Sequence, residues 1–270
     1  MSDKIAFIGG GNMASAIIGG LIGQGMDAMK ILVVEPYAPQ QEKIKQDFGI
    51  EAFSAPNSML AQAATIVWAV KPQSFKVAAQ QARAHTGTAL HFSVMAGIRA
   101  GSMAQMLGTQ RIVRSMPNTP ALIGQGITAM FATPQVTPAD RHAIEHIIES
   151  TGEYLWLDDE TQLDAVTALS GSGPAYVFYF IEAMTQAGID MGLSAAQAAQ
   201  LAKATFTGAS ALAHSATESP SVLRERVTSK GGTTYAAITS MEQDNVAITF
   251  MRAMHAARRR AKELGDEFGA

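Results

Sequence analysis

Two glycine-rich stretches of this chain carry residues that could grip an anion. The first is Gly9-Gly10-Gly11-Asn12-Met13-Ala14, in which Gly9, Gly11 and Ala14 fit the spacing G-x-G-x-x-A. Gly9 would permit a tight turn out of a strand, Gly11 would let a pyrophosphate approach the backbone, and Ala14 would let the next helix pack close to the sheet. The helix start then turns free N–H groups and a positive dipole end toward phosphate. The second stretch is Thr228-Ser229-Lys230-Gly231-Gly232-Thr233-Thr234. Its two glycines precede a predicted helix start and have hydroxyl residues on both sides. N–H groups and hydroxyls together make a compact carboxylate cradle, to which Lys230 could add a charge. Two such stretches imply a dinucleotide held by one and a small acid held by the other.

Other polar residues fall where a nucleotide site would need them. Glu35 closes the predicted strand Lys30 to Val34, about 20 residues past the glycines, where a carboxylate would meet a ribose. Lys71 follows the apolar strand Ala64–Val70, and Pro72 after it opens a helix. Lys71 there either meets a ligand anion or is a surface lysine. Met116-Pro117-Asn118-Thr119-Pro120 is a stiff bend that either is a plain rigid turn or presents Asn118 and its backbone to a bound ring. His142 to His146 matches H-x-x-E-H, a zinc pattern. No downstream acidic ligand accompanies it, the helix reads as an amphipathic connector, and no metal is expected. His85, His91, His214 and His255 are scattered, and Ser172 sits in Gly-Ser-Gly-Pro rather than in G-x-S-x-G. There is no cysteine, which excludes thiol nucleophiles and disulfides.

The elements that must position these residues follow from hydrophobic periodicity. Ile5–Ile8 is a short apolar run, as in a strand buried on both faces, and Ile17, Ile18, Leu21 and Ile22 form one helical stripe behind it. From Met1 to about Asp159, short apolar runs alternate with helical patterns, predicting an α/β, Rossmann-type, mostly parallel sheet over 1–159. Strands are expected at Lys30–Val34, Glu51–Phe53, Ala64–Val70, Ala89–Met95, Arg111–Met116, Ile127–Ala132 and Tyr154–Leu157. Helices are expected at Pro39–Phe48, Asn57–Ala63, Gln73–Ala84, Arg99–Leu107 and Pro138–Ser150. After Asp159 strand signals stop, and 160–270 reads as an all-α domain. A helix from Thr161 is broken at Ser170–Gly173, and Pro174 opens a long helix to about Met191. Ser194 with Gln197 forms a capping box. A final helix from Val246 ends at Leu264, with Gly265 as its stop.

The 270 residues are 47% hydrophobic, enough for a large core. A net charge of −3 does not favour nucleic acid as a partner. No apolar run reaches bilayer length, and the start lacks a signal-peptide pattern, so no membrane association and a cytoplasmic location are expected.

Taken together, these stretches resemble pyrroline-5-carboxylate reductase. The resemblance covers essentially the whole chain. Ile8-Gly9-Gly10-Gly11-Asn12-Met13, Ala69-Val70-Lys71-Pro72 and Met116 to Pro120 match the family's nucleotide-domain landmarks; Ala168 to Tyr176 matches the start of its dimerisation domain, and Val227 to Thr234 its substrate loop. The resemblance implies hydride transfer from NADPH or NADH to the ring C=N of 1-pyrroline-5-carboxylate, giving L-proline. It assigns Ile8, Gly9, Gly10, Gly11, Asn12, Met13, Glu35, Asn57, Ala69, Val70, Lys71, Pro72, Met95, Ala96 and Asn118 to the coenzyme. It assigns Ser229, Gly231, Gly232, Thr233 and Thr234 to the substrate, with Thr234 as proton donor or orienter at nitrogen and Ser229 beside it. It also implies a homodimer, assembled further into a higher homo-oligomer.

Two positions depart from the family pattern. Glu35-Pro36-Tyr37 stands where the family often carries residues that accept a 2′-phosphate, and Lys230 stands where it usually has proline. The first leaves NADH and NADPH both open; the second bears on the stiffness of the cradle. Two other readings are possible: a reductase of another imine or of a hydroxy acid, and a dinucleotide-sensing protein without turnover. A hydroxy-acid enzyme would need a lysine on the long helix, and Pro174 to Met191 has none.

Overall fold

A computed structural model describes residues 4–268. Its sheet has seven strands in the order β2-β1-β3-β4-β5-β6-β7. These are β1 (Lys4–Ile8), β2 (Ile31–Val34), β3 (Ala63–Trp68), β4 (Leu90–Ser93), β5 (Ile112–Met116), β6 (Gly126–Ala132) and β7 (Gly152–Leu157). The first five run parallel, β6 runs antiparallel to β5, and β7 is parallel to β6. The helices between them are α1 (Asn12–Gly23), α2 (Ala38–Phe48), α3 (Pro72–Ala82), α4 (Ala100–Leu107) and α5 (Pro138–Glu149).

The period of two along β1 explains both layers of the core. Ile5 and Phe7 point to one face, packed with Ile17, Ile18 and Leu21 of α1, Ile44 of α2 and Ile144, Ile147 and Ile148 of α5. Ala6 and Ile8 point to the other face, with Phe75 and Ala79 of α3 and Met103 and Leu107 of α4. A strand covered on both faces reads as an unbroken apolar run, which is why β1 and β2 stand out in the sequence.

The remaining helices are α6 (Gln162–Val166), α7 (Gly173–Asp190), α8 (Ala195–Ser215), α9 (Pro220–Arg226), α10 (Thr233–Gln243) and α11 (Val246–Phe268). The described residues group into two compact units, one within Met1–Ser172 and Ala257–Ala270, the other Gly173–Ala256. Sequence reading divides the chain at 159/160 instead, where strand signals stop.

Three elements differ from expectation. The strand at Glu51–Phe53 reduces to one bridge, Val34 with Phe53, before Ser54-Ala55-Pro56 turns the chain away. The break predicted at Ser170–Gly173 narrows to a bend at Ser172, because a widened π turn over Thr167–Gly171 carries the helical path on from α6. Gly171 is there for close approach: a Cβ on it would lie 2.4 Å from Met116 Cε. Gly265 does not stop the last helix, which continues to Phe268. It lies against the loop after β4, where a Cβ would meet Gly97 O at 3.2 Å and Arg99 Nη2 at 3.0 Å.

In the helical unit, Gly188 of α7 allows the close contact with α8 expected of small residues, since its Cβ would lie 2.9 Å from Ala198 Cβ. The Ser194–Gln197 capping box is formed. Tyr176 and Phe180 both meet Phe250 edge-on at 5.6 Å. Yet Val177, Phe178, Tyr179, Met184 and Met191 of this unit are exposed.

Candidate active site

Parallel order brings the predicted coenzyme residues to one edge of the sheet. Gly9 to Met13 follow β1, Glu35 follows β2, Ala69 to Pro72 follow β3, Met95 and Ala96 follow β4, and Asn118 follows β5. All five positions lie at the carboxyl ends of neighbouring parallel strands, the edge where open α/β sheets bind ligands.

The glycine turn has the geometry that its spacing implies. Gly9 has φ +97°, and a Cβ on it would lie 2.7 Å from Ala69 O, so no larger residue fits between β1 and the end of β3. Gly11 has nothing within 4 Å of its Cβ position, leaving open space beside the backbone. It is the N-cap of α1, and among the described residues the amides of Asn12 and Met13 have no acceptor. Gly10 behaves differently: its N–H donates to Glu35 Oε2 at 2.8 Å, and its carbonyl accepts from Gln40 Nε2 at 2.6 Å. Glu35 Oε1 also accepts from Tyr37 N at 2.9 Å. Glu35 therefore braces the turn, and the Gly10 amide is committed to it.

Other predicted residues divide between open and occupied groups. Lys71 is the N-cap of α3 and exposed, and its Nζ has no ion-pair partner among the described residues. Asn57 Oδ1 accepts from Met59 N at 2.9 Å, capping the 3₁₀ turn Ser58–Gln62 that replaces the expected helix. Asn118 Oδ1 accepts from Ile127 N at 3.0 Å, so this side chain ties the bend after β5 to the start of β6. Met95 is buried, with its amide donating to Ser93 Oγ at 3.2 Å.

Sequence reading misses the ionic framework behind the loop after β4. Arg114, on β5, is 3% exposed and pairs with Glu160. Glu160 Oε1 also accepts from Ala100 N at 2.6 Å, closing the start of α4. Arg99 Nη2 pairs with Asp164 at 3.0 Å. Burial lowers the Arg114 pKa, opposed by Glu160, and its Nε has no hydrogen-bond partner among the described residues. The signal was in the sequence: a lone charge in the buried run Ile112-Val113-Arg114-Ser115 demands a partner. His91 on β4 is a second buried polar group. Its Nδ1 accepts from Trp68 Nε1 at 2.9 Å, and burial brings its pKa down to about 4. Glu145 of the H-x-x-E-H pattern accepts from Trp156 Nε1 at 2.7 Å and pairs with His142.

In the helical unit, the stretch 228–234 is a turn leading into α10. Gly232 N donates to Ser229 O at 2.9 Å, with Gly231 at the third position and φ +77°. Lys230 occupies the second position of that turn, where proline is favoured. The Thr228 hydroxyl is used, donating to Arg224 O at 2.6 Å. The hydroxyls of Ser229, Thr233 and Thr234 and the first amides of α10 have no partner among the described residues.

Comparison with known proteins gives these two regions a family. Residues 160–264 match the family model described as pyrroline-5-carboxylate reductase dimerisation, and residues 4–97 match one described as NADP oxidoreductase, coenzyme F420-dependent. The chain is 43% identical to the pyrroline-5-carboxylate reductase of Pseudomonas aeruginosa, over 99% of both chains. It belongs to the pyrroline-5-carboxylate reductase family. A solved structure of that enzyme from Coxiella burnetii superposes with TM-score 0.90 at 35% identity, over 98% of this chain and 99% of that one. A Plasmodium falciparum pyrroline carboxylate reductase with NADP bound superposes with TM-score 0.87 at 28% identity, over 98% and 99%.

Proposed function

We propose that this chain catalyses the last step of proline synthesis, the reduction of 1-pyrroline-5-carboxylate to L-proline by NADPH or NADH. The observation that carries the reading is full-length kinship with a reductase of that name in a chain whose glycine turn is open. A dinucleotide fits that turn: space stands beside Gly11, the Asn12 and Met13 amides have no acceptor among the described residues, and Gly9 admits no larger residue.

When bound, the coenzyme supplies a hydride from its reduced nicotinamide ring. The chain's own residues bind, orient and exclude water. Gly9, Gly11, Asn12 and Met13 hold the pyrophosphate, with Ile8 and Gly10 shaping the turn. Glu35 would meet the adenosine ribose, Asn57, Ala69, Val70, Lys71 and Pro72 would line the coenzyme's path, and Met95, Ala96 and Asn118 would lie near the nicotinamide. Ser229, Gly231, Gly232 and Thr233 hold the substrate carboxylate through amides and hydroxyls. The Thr234 hydroxyl orients the ring nitrogen or gives it a proton. The ring carbon of the protonated C=N would take the hydride, and the electron pair of the C=N bond would stay on nitrogen, giving the amine of proline. A protonated imine is already a good acceptor, so the chemistry asks for no nucleophile.

Homodimerisation is supported by the matched dimerisation model and by the exposed apolar residues of α7. Assembly of dimers into a larger homo-oligomer and a cytoplasmic location complete the reading. No helix among the described residues is long and apolar enough to cross a membrane. The test is a coupled measurement of reduced-coenzyme absorbance and L-proline. One proline formed per coenzyme oxidised is expected. No loss of absorbance with either coenzyme would overturn the reading.

A further inference from the structure

We propose that Glu35 makes this chain select NADH over NADPH. The proposal rests on the coenzyme reading above and deepens it. The carboxylate is fixed at the end of β2, next to the glycine turn. Oε2 accepts from Gly10 N at 2.8 Å and Oε1 from Tyr37 N at 2.9 Å. Its backbone is anchored too, with Glu35 N donating to Phe53 O at 2.8 Å and Gln41 Nε2 donating to Glu35 O at 2.5 Å. The carboxylate cannot swing aside without giving up both amide bonds.

Each carboxylate oxygen has room for a further donor after accepting one amide. Neutral ribose hydroxyls can fill those directions. A 2′-phosphate at the same place brings a charge of about −1.5 to −2 near pH 7 against a fixed negative charge. Nothing local offsets it. Residues 35–42 contain two acids, Glu35 and Glu42, and no lysine or arginine. The two lysines of α2 are engaged, Lys43 with Asp47 at 2.9 Å and Lys45 with Glu51 at 2.6 Å. Lys71 follows β3, two strands from β2, displaced by roughly 10 Å at ordinary strand spacing.

A carboxylate that only braced the turn would give a different result. Removing it would then weaken both coenzymes alike, whereas a discriminating charge moves their ratio. The measurement is the dissociation constant of NADH and of NADPH for the purified full chain without substrate, read from coenzyme fluorescence. The unmodified chain should bind NADH tighter by about tenfold or more. Glu35→Gln keeps the length and an acceptor oxygen but removes the charge, and should bring the ratio about tenfold closer to NADPH. Tyr37→Arg leaves Glu35 and both backbone donors in place, adds a cation at an exposed position, and should move the ratio the same way. NADPH binding as tightly as NADH to the unmodified chain would overturn the proposal. So would equal losses for both coenzymes in the variants. Binding of neither coenzyme would overturn the coenzyme reading itself, and this proposal with it.

Discussion

The two units of this chain prepare a ligand site in opposite ways. In the sheet unit, most polar groups near the strand ends are already engaged: Gly10 with Glu35, Asn118 with Ile127, Glu160 with both Arg114 and Ala100. What is left open is a short length of backbone at Gly11, Asn12 and Met13. In the helical unit the balance is reversed. The hydroxyls of Ser229, Thr233 and Thr234 have no partner among the described residues, and Phe178 and Tyr179 are 59% and 69% exposed. A rigid sheet can complete a phosphate site from its own atoms, whereas a helical layer with one uncovered apolar face needs another surface to be complete.

The comparison breaks most readily at Gly9. Gly9→Ala combines a left-handed φ with a Cβ 2.7 Å from Ala69 O. It should cost about 3 kcal/mol of stability and abolish measurable coenzyme binding. Gly25→Ala has nearly the same φ but open space around it, and should cost only about 1 kcal/mol with binding intact. Equal losses in chemical denaturation would show that the clash is not what matters. In the helical unit, Thr234→Ala should lower kcat/KM for 1-pyrroline-5-carboxylate by about 100-fold in steady-state assays, and full activity would remove Thr234 from the mechanism. Next, Phe178→Glu puts a charge on the exposed apolar face and should weaken self-association by roughly tenfold or more in analytical ultracentrifugation. An unchanged association constant would place the dimer contact elsewhere.

The smallest effect sharpens the sheet side. His91 is buried and neutral, with its pKa lowered to about 4. The unfolded chain therefore takes up a proton that the folded chain refuses between the ordinary histidine value and that one. Stability is full above about pH 6.5 and falls as pH drops toward 4, by about 1–2 kcal/mol between pH 7 and 5. Asp140 acts lower: its hydrogen bond with Arg111 lowers its carboxyl pKa, so its contribution is lost only as pH falls through that lowered value. Thermal melts of His91→Gln against the unmodified chain should show a flatter pH dependence over that window. Identical slopes would mean that another group carries it.

The sheet, its helices and the glycine turn were legible because their signals are local. Runs such as Ile5–Ile8 and spacings such as Gly9, Gly11 and Ala14 act through neighbours in the chain. The Ser194–Gln197 box was legible for the same reason. The misreadings had long-range causes. Gly265 reads as a helix stop, but its small size serves Gly97 and Arg99, far away in sequence. The helix breaks at Ser172 as expected, but the small size of Gly171 beside it serves Met116. The Arg114–Glu160 and Trp68–His91 pairs link positions that no periodicity joins. Glu35 was visible as a candidate, but its grip on Gly10 and Tyr37 needed coordinates.

In the proposed function, separate stretches of the chain grip coenzyme and substrate. The decisive measurement titrates Thr234→Ala with reduced coenzyme beside its steady-state kinetics with 1-pyrroline-5-carboxylate. The expected result is a coenzyme dissociation constant within about twofold of the unmodified chain, together with a loss of tenfold or more in kcat/KM for the substrate. A variant that loses coenzyme affinity in step with turnover, or loses neither, would contradict it.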